Sequence, residues 1–218
     1  MRFFRVIAAV RSCEQIGWQA QAGVSVVLSW LLTLLALFAT AMPPARAAVL
    51  PRPSPDFAIN LGQGKHVRIS QYKGKTVVVA FILTYCSHCQ KAIGVLSKMQ
   101  QEYGARGLQV LGSATEDMAA AALPGFLRQF APPFPVGVNT TDEFVTYMQH
   151  PTMLQLYMPG LVFIDKNGLI CAQYEGRDTF LEATGMEKNI RAKVEEMLTP
   201  PAAAKKARAK KGPTKKSN

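Results

Sequence analysis

The chain has 218 residues, 49% of them hydrophobic and 18% charged, with a formal net charge of +11. That length and balance exclude a disordered polymer and allow one ordinary domain with extra segments. The charge does not make a nucleic-acid-binding surface, because it sits at the ends. The tail after Ala204 holds Lys205, Lys206, Arg208, Lys210, Lys211, Lys215 and Lys216 with no acid, and the first 47 residues hold four arginines against Glu14. The body between is near neutral.

Residues 1–47 read as an export signal or a membrane anchor. Arg2, Arg5 and Arg11 lead into an apolar run from Gly23 to Met42, then Pro43 and Pro44, then an A-x-A pattern at Ala45 and Ala47 that places a cut before Ala48. The run exceeds the ~7–15 residues of a signal core and approaches the ~20 that span a bilayer, so an uncleaved anchor at 23–42 is the alternative. Either use puts the body outside the cytoplasm, periplasmic or otherwise extracytoplasmic, where nucleic acid is no partner. Of the four cysteines, Cys13 lies in the lead, and Cys86, Cys89 and Cys171 remain in the body. Three is odd, so they cannot all pair within one chain.

Residues 48–56, rich in proline, read as an extended linker. Residues 57–199 read as one α/β domain. His66–Ser70 alternates like a strand, and Thr76–Leu83 is a β-branched run suited to a strand buried on both faces. Apolar residues then recur at helical spacing through Ala92, Ile93, Leu96 and Met99, and glycines end that helix. Leu108–Ala114 is a second buried strand, giving a strand–helix–strand unit with parallel strands. Beyond it come a helix interrupted near Pro124, a short strand at 134–138 and a short helix at 142–150. A hairpin turning at Asn167-Gly168 and an amphipathic helix over 185–199 close the domain. Residues 200–218 read as a disordered, solvated basic tail. A contact with anionic lipid is its alternative use, as it is for the N-terminal anchor.

Between the first buried strand and the helix stands Thr-Tyr-Cys-Ser-His-Cys, residues 84–89. Positions i and i+3 on a first helical turn have Cβ atoms ~5–6 Å apart, close enough for a disulfide after a small adjustment. The free N–H groups and positive dipole end of the helix favour an anion there, so a thiolate is expected at Cys86. Cys89, one turn in, is expected to be more buried and less acidic. The asymmetry suits a nucleophile, Cys86, and a resolving thiol, Cys89. His88 between them either tunes the thiolate or is a solvated helix residue.

These residues resemble a known family. A Gly-Lys-x-Val-x-Leu pattern (here Gly64 to Ile69), a Lys-Gly-Lys strand entry at Lys73–Lys75 and the C-x-x-C helix occur in the order found in exported thioredoxin-like proteins of the TlpA/ResA type, within the broader AhpC/TSA grouping. Met158–Gly168 resembles the family segment in which a cis-proline precedes a strand ending in Ile-Asp and a glycine turn, here Pro159, Ile164, Asp165 and Gly168. The likeness covers roughly residues 56–199. It implies a thioredoxin fold: a central mixed β-sheet flanked by helices, with an N-terminal β extension. It further implies thiol–disulfide exchange on a cysteine-containing protein substrate, an upstream redox partner, and no organic cofactor or metal. Pro159 is then cis and lies against the cysteine pair, with Met158 offering backbone groups to an extended substrate. Tyr85 and His88 tune the site.

The chain departs from thioredoxin at two places. Tyr85 stands where thioredoxin has Trp, and Ala80 where it has a buried Asp, so the proton acceptor for Cys89 is open. Glu116 and Asp117 are the nearby carboxylates, read as solvated loop residues. Cys171 reads as a core thiol. An AhpC/TSA-type peroxidase is the enzymatic alternative, although Thr84 stands two rather than three residues before Cys86. A copper-delivery protein on the same fold is the binding alternative, although the cysteines are three rather than four apart; His150, before Pro151, is the histidine that keeps it open. Zinc lacks a ligand set at motif spacing.

Overall fold

The computed structural model describes residues 48–199 apart from 152. The expected signal or anchor and the basic tail lie outside the described residues, and among those described no helix is long and apolar enough to cross a membrane.

One eight-stranded sheet organises the domain. Its strands are β1 (Arg52–Pro53), β2 (Ala58–Gly62), β3 (Lys65–Arg68), β4 (Thr76–Ile82), β5 (Leu108–Ala114), β6 (Val136–Val138), β7 (Gly160–Ile164) and β8 (Leu169–Tyr174), in the spatial order β1-β8-β7-β4-β5-β6-β2-β3. The helices are α1 (Ser87–Tyr103), α2 (Ala119–Phe130), α3 (Thr141–Met148) and α4 (Met186–Leu198). β4 pairs parallel with β5 and antiparallel with β7, as the strand–helix–strand unit and the hairpin require.

The period-2 alternation of β4 sorts the core into two layers. Val78, Ala80 and Ile82 face one cluster, built with the buried stripe of α1 (Cys89, Ala92, Ile93, Leu96, Met99) and with Met186, Ile190 and Val194 of α4. Val77, Val79 and Phe81 face the other, built with Phe144, Tyr147 and Met148 of α3 and with Ile59. Phe81 is fully buried, with ring centroids 4.6 Å from Phe144 and 5.5 Å from Phe57. Each such ring contributes about 1.5–3 kcal/mol through burial. With both faces covered, the strands needed apolar residues at every position, which is why β4 reads as one continuous run.

Two expectations change. The proline-rich 48–56 stretch is not simply a linker: β1 pairs with the edge of β8, and Arg52 is buried, donating from Nη2 to the Tyr147 carbonyl at 2.6 Å and to Gln173 Oε1 at 3.3 Å. An arginine that finds internal acceptors can leave water. Helix α2 runs through Pro124 without interruption. Pro124 is exposed, so the Ala120 carbonyl that loses its helical partner stays within reach of water.

Candidate active site

β4 and β5 end side by side, and the cysteine pair sits where the loop leaving β4 enters α1. Cys86 is the N-cap of α1: its sulfur accepts from the Cys89 N–H at 3.4 Å. It is half-buried, while Cys89 is fully buried. All three cysteines of the described residues are free thiols. Burial pushes the Cys89 thiol far above the ordinary cysteine range. A backbone hydrogen bond at Leu83 opposes this, and the Cys86 sulfur and the Glu116 carboxylate push it further up. One sulfur is thus accessible on a helix end, and the other is held neutral one turn inside.

Glu116, expected as a solvated loop residue, is half-buried. Its Oε1 accepts from both the N–H (3.0 Å) and the hydroxyl of Thr84, and its Oε2 is buried with no hydrogen-bond partner among the described residues. Gln90 completes the arrangement by donating to the Thr84 carbonyl at 2.9 Å. Two donors thus hold one oxygen in place and leave the second free of any hydrogen bond among the described residues. The signal was available in the register. Ile82 pairs with Ala114, so continuing two residues past each parallel strand brings Thr84 to Glu116. Asp117, by contrast, is exposed, as expected of a loop residue.

The opposite wall is the loop entering β7. The Met158–Pro159 bond is cis. Met158 packs against both core clusters, one of which also carries Cys86. Its backbone is pressed by Gly176, where a Cβ would lie 2.1 Å from the Met158 oxygen, so no larger residue fits there without moving the loop. The Gly176 N–H donates to the Tyr157 carbonyl at 2.9 Å.

His88 is tied away from a free solvated position: its Nε2 donates to the Leu181 carbonyl at 2.7 Å. With Ser87, Lys91, Arg177 and Thr179 it lines a cleft of about 510 Å³ beside the start of α1. Tyr85 stands out into solvent, 72% exposed. Cys171 lies on β8 toward the far end of the sheet, in a cleft shared with Thr76 and Gly107, and is half-buried rather than in the core.

A mixed sheet with helices on both faces, a C-x-x-C pair capping a helix and a cis-proline loop at the same edge define the thioredoxin-fold thiol–disulfide oxidoreductases. Solved structures agree on the fold. A Chlorobium tepidum chain assigned as a thiol:disulfide interchange protein DsbE superposes with a TM-score of 0.53 at 26% identity, over 66% of this chain and 96% of that one. A second, a thioredoxin-family thiol:disulfide interchange protein from Chlorobium tepidum TLS, gives 0.57 at 20% identity over 70% and 100%. By sequence the chain is 26% identical to the thiol-disulfide oxidoreductase ResA of Bacillus thuringiensis subsp. konkukian over 127 residues, 58% of this chain and 69% of that protein. It is 24% identical over 149 residues to the ResA of Geobacillus thermodenitrificans, 67% of this chain and 82% of that protein. The model of the AhpC/TSA family matches residues 51–173, more than half of the chain, and the chain belongs to that family.

Proposed function

We propose that the chain exchanges disulfides with cysteine-containing proteins outside the cytoplasm, with Cys86 as the attacking sulfur, Cys89 as the resolving thiol and Glu116 as the proton acceptor for Cys89. The observation that carries this reading is the buried, neutral Cys89, whose N–H binds the half-exposed Cys86 sulfur and whose thiol feels the charge of the Glu116 carboxylate. In the reducing direction the Cys86 thiolate attacks a client disulfide. The client S–S bond breaks, one client sulfur leaves as a thiolate, and a mixed disulfide forms. Cys89 then passes its proton to Glu116 and attacks the Cys86 sulfur; the second client thiolate departs and the 86–89 disulfide closes. Two electrons have moved from the enzyme dithiol to the client, and an upstream redox partner restores the dithiol. The oxidising direction runs the same steps backwards.

The edge around Cys86 suits an extended protein segment. Tyr85 after β4, Met118 after β5 and Met153 and Leu154 before β7 are exposed large apolar side chains on loops at this one end of the sheet. The Met158–Pro159 loop is the wall against which a client backbone lies, and His88 and Tyr85 shape the approach. Peroxidase chemistry is less well supported, because Thr84 spends both its hydroxyl and its N–H on Glu116. Copper delivery is less well supported because His150 is bound to Glu175 and Leu154 instead of reaching the cysteines. The arginine lead, apolar run and A-x-A pattern of residues 1–47 support export, with retention at a membrane through residues 23–42 as the alternative.

Cys89→Ser tests the reading. It removes only the resolving step, so this variant accumulates mixed disulfides through Cys86, visible as reducible higher-mass bands and identifiable by mass spectrometry. A variant that traps no protein overturns the proposal. Equilibration of the 86–89 pair with glutathione sets the direction: a potential near about −270 mV makes the protein a reductant, and one near about −120 mV an oxidant.

A further inference from the structure

His150 takes no part in the exchange steps, yet its side chain is only 5% exposed. Both ring nitrogens are engaged: Nδ1 lies 2.6 Å from Glu175 Oε1, and Nε2 lies 3.1 Å from the Leu154 carbonyl oxygen. Neither a carboxylate nor a carbonyl can donate a proton, so each nitrogen must carry its own. The geometry therefore fits the imidazolium.

The contacts of this pair converge on the loop that precedes Pro159. The His150 N–H donates to the Val145 carbonyl at 3.0 Å, which joins the histidine to the end of α3. Leu154, which accepts from the ring, also donates its N–H to the Pro151 carbonyl at 2.9 Å. On the other side Glu175 is followed by Gly176, which bonds Tyr157 and presses on the Met158 backbone. Arg177 comes next, its guanidinium 4.0 Å above the Tyr157 ring. Two consecutive residues, Gly176 and Arg177, thus grip Tyr157 and Met158, and Glu175 just before them is clamped to His150.

We infer that His150 and Glu175 form a proton-dependent staple that holds the Tyr157–Pro159 loop in the position from which it receives a client chain. This rests on the reading of that loop as the client wall. His150 is then a positioning residue, and the staple governs client affinity rather than the bond exchange itself. Among the described residues Glu175 is the charge that acts on His150; the α3 end contributes a backbone bond and the 151–158 loop a carbonyl. Burial lowers the affinity of the ring for its proton, but the Glu175 hydrogen bond, the Leu154 carbonyl and the Glu175 charge outweigh it, so the group titrates above its ordinary value of 6.5. The sign follows. The folded state keeps a proton that the open loop has lost, so the staple is complete below about pH 6.5 and fails as pH rises through the elevated folded value.

The test uses the full chain, insulin as the disulfide-bonded protein probe and 5,5′-dithiobis(2-nitrobenzoic acid) as a small disulfide that needs no docking wall. The insulin KM is expected to rise roughly tenfold as pH passes through the His150 transition, the scale of losing one hydrogen bond to a charged group. Reaction with the small disulfide shows no matching break. Glu175→Gln, whose amide can donate to a neutral ring, flattens the KM profile, and His150→Ala holds KM at the raised, high-pH value throughout, so that it differs from the unsubstituted chain only below the transition, with kcat little changed. Corrected for the intrinsic pH dependence of exchange, the Gly176 amide, which donates to the Tyr157 carbonyl, reports the loop without any client, and its exchange accelerates as His150 loses its proton. Unchanged exchange across that transition, or a Glu175→Gln profile identical to that of the unsubstituted chain, overturns the staple. Absent insulin turnover with the loop exchange behaving as expected supports the staple and sinks the client reading instead.

Discussion

Cys86→Ser is expected to abolish thiol–disulfide exchange, lowering the rate of insulin disulfide reduction by at least ~10³-fold, as loss of a covalent nucleophile does elsewhere. A serine hydroxyl does not ionise near neutral pH and cannot form the mixed disulfide through which electrons pass. The fold should be kept, since serine is nearly isosteric with cysteine and residue 86 is only half-buried. Serine is also a preferred N-cap and can take over the bond from the residue 89 N–H that the sulfur now accepts. Circular dichroism and the melting temperature therefore stay close to those of the unsubstituted chain while turnover vanishes. Cys89→Ser differs in kind: it completes the first half-reaction and stalls. A Cys86→Ser variant that still turned over insulin would move the chemistry to another sulfur, and Cys171, at the far end of the sheet, offers no partner for it.

Glu116→Gln is the second large effect. The amide keeps the size of the carboxylate and can still accept from Thr84 N–H and Oγ1, but it has no basic oxygen to receive the Cys89 proton. Resolution of the mixed disulfide is expected to slow by about 10²-fold, the lower end of what a positioned proton acceptor supplies. Formation of the mixed disulfide by Cys86 changes little, so stopped-flow traces split into a normal first phase and a delayed second one. The pH dependence follows from the buried Cys89. Its thiol must ionise to attack, and burial holds it above the ordinary range. Without Glu116 the proton goes to solvent, and the resolving rate climbs up to about tenfold per pH unit through the neutral range, as for any reaction through a minor ionised form. The unsubstituted chain shows a shallower profile. Equal slopes and equal second phases in the two proteins would remove Glu116 from the mechanism.

Much of this site was legible as local pattern. The continuous run of β4 announced a strand buried on both faces, and the helical stripe after it announced α1. Their junction fixed Cys86 at a helix N-terminus with Cys89 one turn inside, and the geometry places them so. Pro159 came from the family resemblance rather than from its own neighbourhood, and the bond before it is cis. Pro124 misled, since helix breaking by proline depends on whether the freed carbonyl is left dry, and there it is at the surface. Proline richness likewise suggested a free linker at 48–56, because nothing in that segment announces that Arg52 will find Tyr147, 95 positions away.

By itself the sequence determined the α/β class, the order of the central elements and the two sulfurs, because hydrophobic period, helix-end chemistry and C-x-x-C spacing act over a few residues. Tertiary structure alone decided that Glu116 meets Thr84, 32 positions before it, with its second oxygen buried, and that His150 meets Glu175 across 25 positions. Such partners are chosen by strand register and loop packing. A carboxylate's local sequence is the same whether it faces water or a buried sulfur, so its role appears only once the sheet has set its neighbours.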